Sequence, residues 1–142
     1  MIDMRVATSE EVLTHWNTLA PWIDRGLKHS ASKTSSVSLA PQIISGQMQL
    51  WLCSIEGELR SVVITEPIYF EGELVLHLIC MSGDGWDEYK EGCHTLEAFA
   101  EEIGASRIVA WCRRGWTRKI KELKGRRGQT FNESYVVMDM RI

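Results

Sequence analysis

Short apolar runs alternate with polar breaks along the chain, and the period of the apolar positions changes from run to run. MRVA (4–7) reads as a short strand. Thr8 then offers an N-cap with Glu11 three residues on, the pattern of a capping box. Val12, Trp16, Leu19 and Ile23 follow at helical spacing, and Pro21 predicts a break or kink that leaves two helical pieces. A second helix is expected over 36–46, within reach of Pro41 and Gly46. QLWLCSI (49–55) and RSVVITEPIYF (60–70) are strands joined by the EGEL turn as a hairpin. EG (71–72) turns into ELVLHLICM (73–81), so three antiparallel strands follow one another. A helix over 87–103 would bury Tyr89, Cys93, Leu96, Ala100 and Ile103 and wet Lys90, His94, Glu97 and Glu101, with Gly104 as its C′ residue. SRIVAWC (106–112) is the next strand, and a right-handed crossover sets it parallel to 73–81. GWTRKIKELKG (115–125) is a short helix with Trp116, Ile120 and Leu123 inward. NESYVVMDMRI (132–142) is expected to close the chain as a strand, with QTF ahead of it available to pair.

Composition supports one domain. The 142 residues are 44% hydrophobic and 25% charged, enough apolar side chain for a real core. There is no internal repeat or low-complexity tract, and SASKTSSVS (30–38) reads as a loop. The six Trp are read as packing residues. MIDMRVATSEE has neither the basic nor the apolar region of a signal peptide, and no run approaches the roughly 18 apolar residues of a spanning helix. A cytoplasmic location is expected, for the protein itself or for something assembled there that carries it. Cys53, Cys80, Cys93 and Cys112 form no C-x-x-C pair and read as reduced thiols in apolar surroundings. With no cluster of cysteines and histidines, no metal is expected.

Charge is more informative in its distribution than in its total of −3. Residues 56–102 hold twelve acidic side chains against Arg60 and Lys90, whereas 113–127 hold eight basic ones against Glu122. This predicts an acidic side and a basic side. The basic side (Arg113, Arg114, Arg118, Lys119, Lys121, Lys124, Arg126 and Arg127) suits an acidic protein surface, on a partner or a second copy. It also suits nucleic acid, through salt-sensitive phosphate contacts and stacking on Trp111 or Trp116, although a pI near 5.8 is low for that role.

The stretch CMSGDGWDEY (80–89) leads from a strand into a helix through glycines, the geometry in which backbone N–H groups hold phosphate. Ser82, Gly83 and Gly85 are the residues that would do so. Asp84, Asp87 and Glu88 argue for a capped helix start instead. A like-charge pair 4 Å apart costs about 1 to 4 kcal/mol at effective dielectrics of 80 to 20.

The order of elements, the glycine-bearing turn at 82–85 and the closing segment WCRRGWTRKIKELKGRRGQTFNESYVVMDM together resemble the GNAT-type N-acetyltransferase superfamily, over nearly the whole chain and most closely its small phage and prophage members. The resemblance implies a single α/β (α+β) domain over 1–142, with a mixed, mostly antiparallel central sheet flanked by helices and a βαβ crossover at 73–112. It implies acetyl-CoA as the cofactor of an active enzyme, with the pyrophosphate at the 82–85 turn and the pantetheine arm in a V-shaped gap between strands 73–81 and 106–112. His77 or Glu73 would take the amine's proton, and Tyr135 or Lys121 would protonate the departing thiolate. Two departures stand out. SGDGWDEY replaces the family's R/Q-x-x-G-x-G/A, with no cation before Lys90, and the position four residues before Gly125, where many members carry Tyr, is Lys121. These departures point to a non-catalytic accessory or virion-associated protein that uses the fold for protein contacts and needs no cofactor. The alternatives are an acetyl-CoA-dependent N-acetyltransferase acting on an amine, and nucleic-acid binding through 113–127. A scaffold would have the gap plugged, with Trp86 and Trp111 the candidates.

Overall fold

Apolar alternation along 49–83 builds the centre of the molecule. The computed structural model describes residues 2–28, 34–84, 92–112, 114–134 and 140–141. Five strands, β1 (Ile2–Val6), β2 (Gln49–Ile55), β3 (Glu58–Phe70), β4 (Glu73–Gly83) and β5 (Arg107–Ala110), form one sheet in sequence order. The first three pairings are antiparallel and β4–β5 is parallel. The five described helices are α1 (Ser9–Thr14), α2 (Trp16–Leu27), α3 (Ser36–Ser45), α4 (Gly92–Glu102) and α5 (Arg114–Lys121). The expected mixed sheet, meander and crossover are therefore present.

Each face of the sheet carries its own core. On one face Leu50, Val62, Ile64 and Cys80 pack against Val12, Leu19, Ile23, Leu27, Leu39 and Ile43 of α1, α2 and α3. On the other, Trp51, Cys53, Val63 and Leu78 pack against Cys93 and Leu96 of α4, Ile120 of α5 and Leu123. Neighbours such as Leu50 and Trp51 go to opposite faces because strand side chains alternate. Trp51 also donates Nε1–H to Thr65 Oγ1 (2.9 Å), which satisfies its one polar group inside the core.

The capping box forms as expected. Thr8 Oγ1 accepts from the Glu11 amide and Glu11 accepts from the Thr8 amide, both at 3.1 Å. The Glu11 carboxylate is also gripped by Arg5 at 2.7 Å, and that bond and the Thr8 amide hold its pKa at about 2. The helix break expected at Pro21 falls elsewhere. α2 runs through Pro21, and the chain turns at His15 (φ −108°, ψ 19°) between α1 and α2. The lost N–H bond at Pro21 is outweighed because the same helix buries Leu19, Ile23 and Leu27. α3 likewise continues through Pro41 and stops at Gly46 in the left-handed region. Gly104 ends α4 as expected, with bonds from Gly104 to Glu101 and from Ala105 to Ala100.

Two segments are shorter than the sequence suggests. β5 covers only 107–110 of the expected 106–112. α5 ends at Lys121, after which the amides of Glu122 and Leu123 donate back to the carbonyls of Lys119 and Ile120 in tight three-residue turns. Of the expected closing strand, 132–134 and 140–141 are not strand, and 135–139 and 142 lie outside the described residues. Thr130 of QTF forms an isolated antiparallel bridge with Lys124. No helix among the described residues is long and apolar enough to cross a membrane.

Candidate functional site

β4 is asymmetric along its length. Val75–Leu78 lie between two strands, since Val75, Leu76, His77 and Leu78 pair with Arg107, Ile108, Val109 and Ala110. Above Leu78 the pairing with β5 stops, while β3 continues beside β4 to Gly83. Ile64 lies opposite Cys80 and Thr65 opposite Leu78, which leaves Ile79 as an extra residue, a β-bulge. A bulge bends its strand and interrupts the ladder. The two strands therefore fork at Ile79, and among the described residues no strand pairs with the β5-side edge of 79–83. This is the gap expected from the sequence.

The turn above the fork is occupied by the protein's own groups. Gly83 adopts φ +136°, and a Cβ there would lie 2.3 Å from the Arg60 carbonyl oxygen and 2.5 Å from Ser61 Cα. Its glycine is required by the close approach of β3. Ser82 is buried. The Asp84 amide donates to the Arg60 carbonyl at 3.1 Å, and the Asp84 carboxylate accepts from Arg60 Nε at 2.8 Å. Gly85, Trp86 and the expected start of the following helix lie outside the described residues.

His77 stands two residues below the bulge, on the face covered by α1, α2 and α3. It is half-buried, and burial lowers its pKa, favouring the neutral ring. Trp111, the first residue after β5, lays its indole against the imidazole with centroids 4.4 Å apart. Its other ring neighbour is Phe70 at 6.0 Å. Both partners lie below the fork, so the indole packs back along the sheet and does not plug the gap beside 79–83. Glu73, the other expected base, pairs with Arg107 at 3.2 Å. It sits four residues from His77, about 13 Å along the strand, so the two are not brought together.

No protein-family model matches the sequence, nor does any curated protein. Solved structures do match. Ribosomal-protein-alanine N-acetyltransferase from Brucella melitensis biovar Abortus 2308 superposes with a TM-score of 0.69 at 13% identity, covering 100% of this chain and 99% of that one. A predicted acetyltransferase with acetyl-CoA from Clostridium acetobutylicum gives 0.66 at 11%, covering 98% and 96%. Aminoglycoside N-acetyltransferase AAC(6')-Iy in complex with CoA gives 0.69 at 14%, covering 100% and 95%. The chain has the GNAT acetyltransferase fold. Identities this low carry the fold and nothing finer.

The other residues singled out from the GNAT resemblance are dispersed. Lys121 is exposed at the end of α5 and pairs with Glu133 at 3.7 Å. Tyr135 lies outside the described residues. In the basic segment, Arg113 and the side chain of Arg114 lie outside the described residues, and Arg118, Lys119, Lys124 and Arg127 are exposed. Arg126 turns onto α4, where it pairs with Glu97 and Glu101, and its amide donates to Glu97 at 2.8 Å. The acidic and basic halves of the sequence are thus partly joined inside one molecule.

The described cysteines are free thiols, and burial pushes Cys80 up to about 12 and Cys93 up to about 11. Among the described residues no group of His, Cys, Asp or Glu could hold a metal ion. Sequence reading missed three features of this site. The bulge at Ile79 is invisible because ELVLHLIC is apolar on both faces, which hides the alternation. The cation beside the turn, Arg60, comes from β3, 24 residues from Asp84. The stacking of Trp111 on His77 depends on the β4–β5 register, which no local pattern encodes.

Proposed function

We propose that the protein binds acetyl-CoA and transfers its acetyl group to an amine. The observation that supports this reading is the fork at Ile79, a strand edge that no described strand pairs with, beside a half-buried imidazole. The edge of 79–83 fits an extended, amide-bearing arm, which would bond to it as a further strand does. Acetyl-CoA would supply the activated acyl group. Ile79–Gly83 would hold the arm, and the fork would direct its end toward His77. Burial keeps His77 neutral near pH 7, so a ring nitrogen can accept the proton that the amine loses. Arg60 is the described cation nearest the turn and would face the phosphates, in exchange for Asp84.

The scaffold alternative needs charged surface available to a partner. Arg126 and Lys121 are already paired with Glu97, Glu101 and Glu133, and no observation favours that reading over the first. Nucleic-acid binding is likewise weakened by the same pairs.

Calorimetric titration with acetyl-CoA at low salt tests the proposal. Micromolar binding is expected, weakened by Arg60→Ala. Absence of heat at millimolar ligand would overturn the transferase reading and leave the fold assignment untouched.

A further inference from the structure

We infer that Trp111 is the positioning residue for His77, its indole fixing the imidazole at the point where β4 and β5 part. The inference rests on the reading of His77 as the group that accepts the amine's proton. Among the described residues no hydrogen bond orients the His77 ring, and its one ring contact is Trp111, 4.4 Å away with planes inclined by 46°. Both imidazole nitrogens are therefore uncommitted to any described protein group, and packing against the indole sets where they point.

Trp111 is itself braced from below. Its ring meets Phe70 at 6.0 Å and 64°. Phe70 lies under the Arg107 guanidinium at 5.9 Å, and Arg107 is tied to Glu73 at 3.2 Å. A chain of contacts thus runs from the lower end of the sheet to the imidazole. Trp111 is 41% exposed, unusually open for an indole whose only task is to fill a core.

The charged groups on the elements packed around His77 are engaged elsewhere. Glu66, opposite it on β3, accepts from Gln47 at 2.8 Å. Glu73 on β4 and Arg107 beside it hold each other. On α2, Asp24 accepts from Ser36 and Arg25 stacks on Trp22. Desolvation under the indole is then the local influence on the imidazole that a substitution at 111 removes.

The test is an NMR pH titration of the histidine Cε1–H signals in the full chain, comparing wild type with Trp111→Phe and Trp111→Leu. The His77 signal is assigned by its loss in His77→Gln. In wild type it is expected upfield of the ordinary histidine position, from the indole ring current, with a midpoint below about 6.5. Trp111→Leu should move the signal to the ordinary position and raise the midpoint toward that value, while Trp111→Phe keeps most of both effects. Identical shifts and midpoints in all three proteins would overturn the inference. The experiment needs no acetyl-CoA, so failure of the cofactor to bind would sink the transferase reading without deciding this one. Where transfer is measured, Trp111→Leu should lower kcat and move the acid limb of the pH profile upward, with KM for acetyl-CoA unchanged.

Discussion

The two halves of β4 are made of similar residues and do different things. From Val75 to Leu78 the strand is held on both edges, by β3 and by β5. From Ile79 to Gly83 it keeps β3 and loses β5. The lower half has strands on both sides to fix it. The upper half is held by close backbone approach. Gly83 lets β3 come within contact, and Gly26 lets α2 settle on Cys80 and Ser82, each 2.8 Å from where a Cβ would be. An edge strand is a liability when it is floppy or free to pair with other chains. Here the edge is held in place by close glycine contacts on its other sides, which suits a ligand that adds to it.

This contrast can be broken at either half. The largest effect is expected below the fork. Leu76 is fully buried between the sheet partners, and Leu76→Ala should cost about 2–5 kcal/mol, read as a fall in the denaturation midpoint. Above the fork, Gly83→Ala forces a Cβ into the β3 backbone at a positive φ, and should cost about 1–3 kcal/mol. If Gly83→Ala proved neutral, the close β3 contact would not be what holds the upper half. The smallest effect needs no substitution. Hydrogen exchange should be faster at amides of 79–83 facing the missing β5 than at those of 75–78, and acetyl-CoA should slow the former selectively. Equal protection in the two segments without ligand would remove the fork.

Much of this architecture is readable from local pattern. The edges of β2 at 49 and 55, the capping box at Thr8 and Glu11, and the glycine stop at Gly104 all depend on residues close in sequence, so spacing and residue type suffice. Pro21 misleads because a local rule meets a tertiary gain, the burial of Leu19, Ile23 and Leu27. The site is harder to read because its parts come from separate strands. His77 is recognisable as a histidine in an apolar run. Its neighbour Trp111 is 34 residues away, and only the parallel register that puts Val109 beside His77 brings the indole over it. The charge split between 56–102 and 113–127 is real in the sequence, yet Arg126 folds onto Glu97 and Glu101, so part of it closes on itself.

The bulge also has a meaning for how such a strand arises. Below Ile79 the odd-numbered side chains of β4, including His77, face α1–α3; above it the even-numbered ones, Cys80 and Ser82, do so. Removing Ile79 would therefore restore an unbroken alternation and leave every other side chain of β4 on its present face. Removal of Leu78 would do the same, with Ile79 taking its place opposite Thr65, whereas removal of a residue farther from the bulge would throw part of the strand out of step with β3. One extra residue at this point is what sets the upper half of the strand out of phase with the lower.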